Sequence, residues 1–139
     1  MAWNIRKESK SVKKEILKFP AGLDAQESVV LRASGAPTVA SATVGYAGQK
    51  GYLAGTILKK VNPGTDDRVT KYNGSGDIVG ILADNVFFDG ETTDYDEPIN
   101  MFVHGCVFNK NNIIDYATYE SDLKSDLYTC RFEDVNTQQ

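Results

Sequence analysis

The chain has 139 residues, 41% of them hydrophobic and 24% charged, which fits one folded domain long enough to bury most of its apolar surface without staples. No apolar stretch approaches the roughly 20 residues of a membrane helix, and the charged N-terminus has no apolar run behind it, so a membrane span and a cleaved secretion signal are both unexpected. The net charge of −4 is unevenly placed: residues 1 to 20 carry six basic residues (Arg6, Lys7, Lys10, Lys13, Lys14, Lys18) against Glu8 and Glu15, a local +4, which leaves −8 for the remainder.

The segment 1–20 reads as an N-terminal basic arm. Its apolar residues, among them Trp3, Ile5, Val12 and Ile16, are too sparse and too interleaved with lysine to form a core of their own. They need a surface to pack on. Opposite signs on arm and body suit an arm that reaches for a separate acidic partner, or one that folds back on its own domain. Val12, Ile16 and Phe19 also fit the spacing of a helix packed on the body, and that alternative stays open. "FPAGLD" then breaks any regular element at Pro20 and Gly22, and residues 21–139 form a single β-rich domain.

"ESVVLRA" predicts a first short strand. The following "SGAPTVASATVGYAGQKG" is poor in large side chains and predicts surface loop with irregular strand that buries little. "GYLAGTILKK" ends in the turn "VNPGTDD", and "RVTKYN", "DIVGILADNVFF" and "INMFVHGCVFN" follow, each rich in β-formers and bounded by Gly, Pro, Asn or Asp. Tyr116, Tyr119, Leu123 and Leu127 recur at spacings of 3, 4 and 4, which predicts one amphipathic helix covering an end of the sheet. The expected fold class is mainly β (α+β): a small β-barrel or sandwich-like body with one or two short helices and an extended N-terminal arm.

Chemistry is hard to assemble from these residues. "KYNGSGDIVGIL" holds Gly74, Gly76 and Gly80, but the third glycine is one place late for Gly-x-Gly-x-x-Gly, and the run that follows is strand-like where a dinucleotide site opens a helix. Asn73-Gly74 reads instead as a hairpin turn. His104, the only histidine, stands before Gly105 at a strand end with no nucleophile elbow nearby, and Ser75 lacks the Gly-x-Ser-x-Gly pattern. Asp84, Asp89, Glu91, Asp94, Asp96 and Glu97 form an acidic segment that misses the EF-hand spacing and reads as a solvated loop. Cys106 and Cys130 have no CxxC partner, which counts against zinc and leaves buried, reduced thiols as the expectation. No catalytic residue, metal ligand or cofactor is therefore expected, and an acidic body argues against nucleic acid as a partner.

The order of an N-terminal arm, "GYLAGTILKK", "YNGSGDIVGILADNV" and "PINMFVHGCVFN" resembles the head decoration, or cementing, proteins of tailed bacteriophages, the lambda-type family. The matching motifs are Gly55 to Leu58, Gly80 to Leu82 and Gly105 to Val107, within a span of about residues 50 to 115; the longer lysine-rich N-terminus and the acidic segment 84 to 97 depart from the family's pattern. The resemblance implies a non-enzymatic homotrimer on the outer surface of the expanded capsid, made in the host cytoplasm. Its partner would be the major capsid protein, reached through the arm, for which Trp3, Ile5, Arg6, Lys7, Val12 and Ile16 are the candidate contacts. The competing expectation is a β-module of a virion or cell surface that binds glycan or a receptor through its seven tyrosines.

Overall fold

In the computed structural model, residues 16–17, 25–39, 49–88 and 96–134 are described. Among the described residues, nine strands and one α-helix follow in chain order: β1 (Gln26–Leu31), β2 (Lys50–Tyr52), β3 (Ile57–Asn62), β4 (Asp66–Lys71), β5 (Ile78–Leu82), β6 (Val86–Phe88), β7 (Glu97–Phe102), β8 (Val107–Asn109), α1 (Tyr116–Asp126) and β9 (Arg131–Glu133). The body is mainly β, as expected, and it is a barrel: β1, β4, β3, β5 and β7 close on themselves in that order. Two-stranded pairs β2–β6 and β8–β9 complete the described sheet structure. Closure gives every barrel strand two neighbours and removes the open edges of a small sheet.

The turn chemistry is local. Between β3 and β4, Asn62-Pro63-Gly64-Thr65 folds back with a 3.0 Å bond from the Thr65 N–H to the Asn62 carbonyl, and Gly64 takes the positive φ of 87° that this turn needs after proline. The expected hairpin at Asn73-Gly74 is corrected. That segment does turn, but β4 and β5 do not pair; both pair with β3, one on each side. The two long β-rich runs are also each broken in two, at Ala83 to Asn85 and at Val103 to Cys106, so that β6 and β8 leave the barrel for other partners.

Successive residues on the barrel strands face different cores. Leu31, Leu58, Val69, Leu82 and Met101, one from each strand, are fully buried together inside the barrel, and Tyr52 and Phe88 join them from β2–β6. Their neighbours Ile57, Ile81 and Phe102 turn outward into a second core with Tyr72, Ile78, Phe108, Ile113, Leu123 and Leu127. Burial on both faces is why apolar residues stand side by side at Ile57–Leu58, Ile81–Leu82 and Met101–Phe102. The small-residue stretch after the first strand also contributes more than expected: Ala36 and Val39 are buried, and Ala36 lines the barrel core beside Ala33.

The predicted helix is present with its predicted face. Leu123 and Leu127 are buried, with Tyr116 and Tyr119 partly buried against the same core. Hydrogen bonds fix it to the barrel: the Tyr72 hydroxyl donates to Asp122 at 2.9 Å, and the Ile78 N–H donates to the Asp126 carboxylate at 2.9 Å. Burial and the Asp122 carboxylate together push the Tyr72 hydroxyl up to about 12, because both disfavour the phenolate.

Candidate functional site

Residues 16 and 17 show where the N-terminal segment meets the body. Leu17 forms an antiparallel bridge with Phe108 of β8, and the Asn109 N–H donates to the Ile16 carbonyl at 2.8 Å. Ile16 is only 4% exposed and sits in the outer core, where its Cδ1 lies 3.3 Å from the position a Cβ would take on Gly55. This corrects one assignment: the Ile16 side chain belongs to the body's core and is not free to contact a partner. The backbone here is extended, so the helical alternative does not hold at these two residues. Trp3, Ile5, Arg6, Lys7 and Val12 lie outside the described residues.

The seat beneath Leu17 is aromatic. Phe108 stacks on Phe132 with ring centroids 5.3 Å apart, Tyr116 leans on Phe132 at 5.6 Å, and Phe102 meets Phe108 edge-on at 6.1 Å. β9 supplies Phe132 by pairing parallel to β8, so the last described strand and the start of the body meet at one place. Gly55 is required there: its φ is 94°, and a Cβ would strike the Asn112 carbonyl oxygen. The sequence shows a glycine at 55 but not the carbonyl it makes room for.

The glycine loop after β4 has the wrong polarity for a phosphate. Its oxygens face a cation, since the Lys59 ammonium donates to the Ser75 carbonyl at 2.8 Å and to the Asn73 Oδ1 at 3.3 Å. A phosphate site presents converging N–H groups. Here the Ser75 N–H is held by Asn73 Oδ1 and the Ile78 N–H by Asp126. Gly80 serves packing: a Cβ on it would come within 2.7 Å of the Met101 Sδ and 2.9 Å of the Phe102 carbonyl oxygen.

His104 and Asp96 lie beyond opposite ends of β7, on the order of 20 Å apart at the usual strand rise, so they do not form a catalytic pair. Asp96 is committed elsewhere, accepting from the Ala33 N–H at 3.0 Å and from Arg68 at 3.0 Å. Arg68 also holds Asp66, whose carboxyl drops to about 2 chiefly through that hydrogen bond. Asp89, Glu91 and Asp94 of the acidic segment lie outside the described residues. Among the described residues no group of three or more His, Cys, Asp or Glu is placed to hold a metal. A groove of about 420 Å³ where the segment begins and ends is lined by Asp84, Asn85, Phe87 and Glu97, among others, and Asn85 is engaged by the Ala54 N–H at 2.7 Å.

Of the described tyrosines, Tyr52 and Tyr72 are buried, Tyr116 and Tyr119 are half-buried in the outer core, and Tyr128 alone is open, at 81%. A glycan platform built from several exposed rings is not found among them. Cys106 and Cys130 are free thiols and buried, as expected. Comparison with protein-family models, curated proteins and solved structures gives no match.

Proposed function

We propose that this chain is a tailed-bacteriophage capsid decoration protein: a homotrimer that binds the major capsid protein on the outside of the expanded head and stabilises it. The observation that carries the reading is the seating of Ile16 and Leu17 on β8, because it gives the preceding residues a fixed point of departure from a rigid body. Residues 1–15 hold five basic residues against two acidic ones, a charge of +3, and leave −7 for the remainder. The motifs behind the family resemblance also come together. Gly55 to Leu58 and Gly80 to Leu82 pair antiparallel, with Ile57 opposite Ile81 and Leu58 opposite Gly80, and Cys106 of the third motif packs in the same outer core as Ile57 and Ile81.

A cement of this kind works by multiplicity. Ordering a free arm costs roughly 1 to 2 kcal/mol per residue in backbone entropy, so the arm needs main-chain pairing and apolar anchors on the capsid. Trp3 and Ile5 are the anchors available, each returning on the order of 2 to 3 kcal/mol when buried. Three arms on one trimer then act at high effective concentration. Binding to the assembled lattice, and not to its dissociated parts, raises capsid stability by linkage. Lys7 and Arg6 add steering that salt screens.

The deciding experiment removes Met1 to Lys14 and keeps Ile16 and Leu17, then measures melting and co-sedimentation with expanded tailed-phage heads from the genome that encodes the chain. An unchanged melting temperature with lost sedimentation supports the arm, and Trp3→Ala in the full chain should weaken attachment at least tenfold. Undiminished binding by the shortened chain overturns the arm. Absence of the full-length chain from the heads overturns the decoration reading.

A further inference from the structure

Cys106 and Cys130 are 24 positions apart in sequence and side by side in space. Each precedes its strand by one residue, and β8 and β9 run parallel with Val107 opposite Arg131, so the two cysteines occupy the next rung of the same ladder. The Arg131 N–H donates to the Cys106 carbonyl at 2.9 Å, which holds the rung closed at the backbone. Neighbouring strands lie about 4.8 Å apart, within the Cα separation that a disulfide spans. The Cys106 Sγ lies 3.4 Å from the His104 carbonyl oxygen and the Cys130 Sγ 3.9 Å from that of Val103.

We propose that Cys106 and Cys130 form a redox site that closes to an intramolecular disulfide by exchange with an external small-molecule disulfide, tying the start of β9 to the start of β8 and closing the loop that carries α1. The Cys130 thiolate attacks one sulfur of the external disulfide, releases one thiolate and is left in a mixed disulfide. The Cys106 thiolate then attacks the Cys130 Sγ and displaces the second thiolate, so the protein dithiol is oxidised and the external disulfide is reduced to two thiols.

The roles of the two sulfurs differ for structural reasons. Cys130 is 9% exposed and Cys106 1%, so an incoming disulfide reaches Cys130 first. The neighbouring Cys106, then the Thr129 hydroxyl and the nearby His104, draw the Cys130 thiol below the ordinary thiol range, whereas Cys106 is pushed up. In a reducing cytoplasm the pair stays open. Outside the cell the closed loop would restrict the unfolded chain across the whole of α1, which lies between the cysteines.

The full-length chain is incubated with oxidised glutathione, and thiol titration, non-reducing peptide mapping and melting are followed together. Expected are loss of both titratable thiols, a Cys106–Cys130 cross-linked peptide and a melting temperature higher by roughly 10 °C, reversed by dithiothreitol. Cys106→Ser should trap glutathione on Cys130, and Cys130→Ser should resist modification. Retention of both thiols in excess oxidised glutathione overturns the proposal, as does a cross-link that lowers the melting temperature or joins two chains. The site does not depend on the capsid reading, and none of these measurements involves a capsid.

Discussion

The barrel and the β8–α1–β9 unit beside it are built on different principles. In the barrel each strand has a hydrogen-bonded neighbour on both sides, the β1–β4 seam through the single pair Leu31–Val69, and partners such as β1 and β7 are far apart in sequence. The β8–α1–β9 unit is contiguous, from Val107 to Glu133, and joins the barrel through a shared core that includes Phe108, Ile113, Leu123 and Leu127 and through isolated hydrogen bonds: Tyr72 to Asp122, the Ile78 N–H to Asp126 and the Ile114 N–H to the Gly55 carbonyl. A unit joined to the rest by one packed face and isolated hydrogen bonds can open locally at lower cost than strands laddered into a closed barrel. Both proposed sites lie on the second unit: the arm is rooted on β8, and the thiol pair spans the start of β8 and β9.

The largest test of this contrast is Leu123→Ala. Removing a fully buried side chain should cost about 3 kcal/mol. Amide exchange should accelerate from Val107 to Glu133 while the β3 and β5 amides stay slow; equal acceleration in both regions would show that they unfold as one. Gly80→Ala tests the other side. Its Cβ has no room against Met101 and the Phe102 carbonyl, so a loss of about 2 kcal/mol is expected, with faster exchange throughout the chain. An unchanged denaturation midpoint would mean that β5 and β7 can separate freely.

Asp126→Ala is a smaller lesion, about 1 kcal/mol, because it leaves the Ile78 N–H without its acceptor. Exchange at Ile78 should rise more than at Ile81, and the reverse order would argue that this bond does not hold the helix. The mildest test is alkaline pH. The Tyr72 hydroxyl titrates near 10 when unfolded and about 12 when folded, so the fold favours its protonated form. That contribution is fully present below pH 10 and lost as pH rises towards 12. The melting temperature of Tyr72→Phe should therefore be lower at pH 8, and the gap should narrow above pH 10; a constant gap would contradict the coupling to Asp122.

What the sequence determined by itself was local. The helix face of Tyr116, Tyr119, Leu123 and Leu127 needs only a 3.6-residue period, and the Pro63-Gly64 turn only the φ preferences of two residues. The β-rich class follows from strand-forming runs between turn signals, and the absence of a dinucleotide fingerprint from one misplaced glycine. The tertiary structure decided which strands pair. "RVTKYNGSGDIVGIL" looks like a hairpin because Asn73-Gly74 is suited to one, yet β3 takes the space between β4 and β5, and no feature of the turn itself encodes that third strand. Ile16 reads as part of a basic arm because its neighbours are charged, and only the seat formed by Phe108 and Gly55 draws it into the core. The meeting of Cys106 with Cys130 is of the same kind: it depends on a parallel register between two three-residue strands separated by a helix, a long-range contact that composition and spacing do not specify.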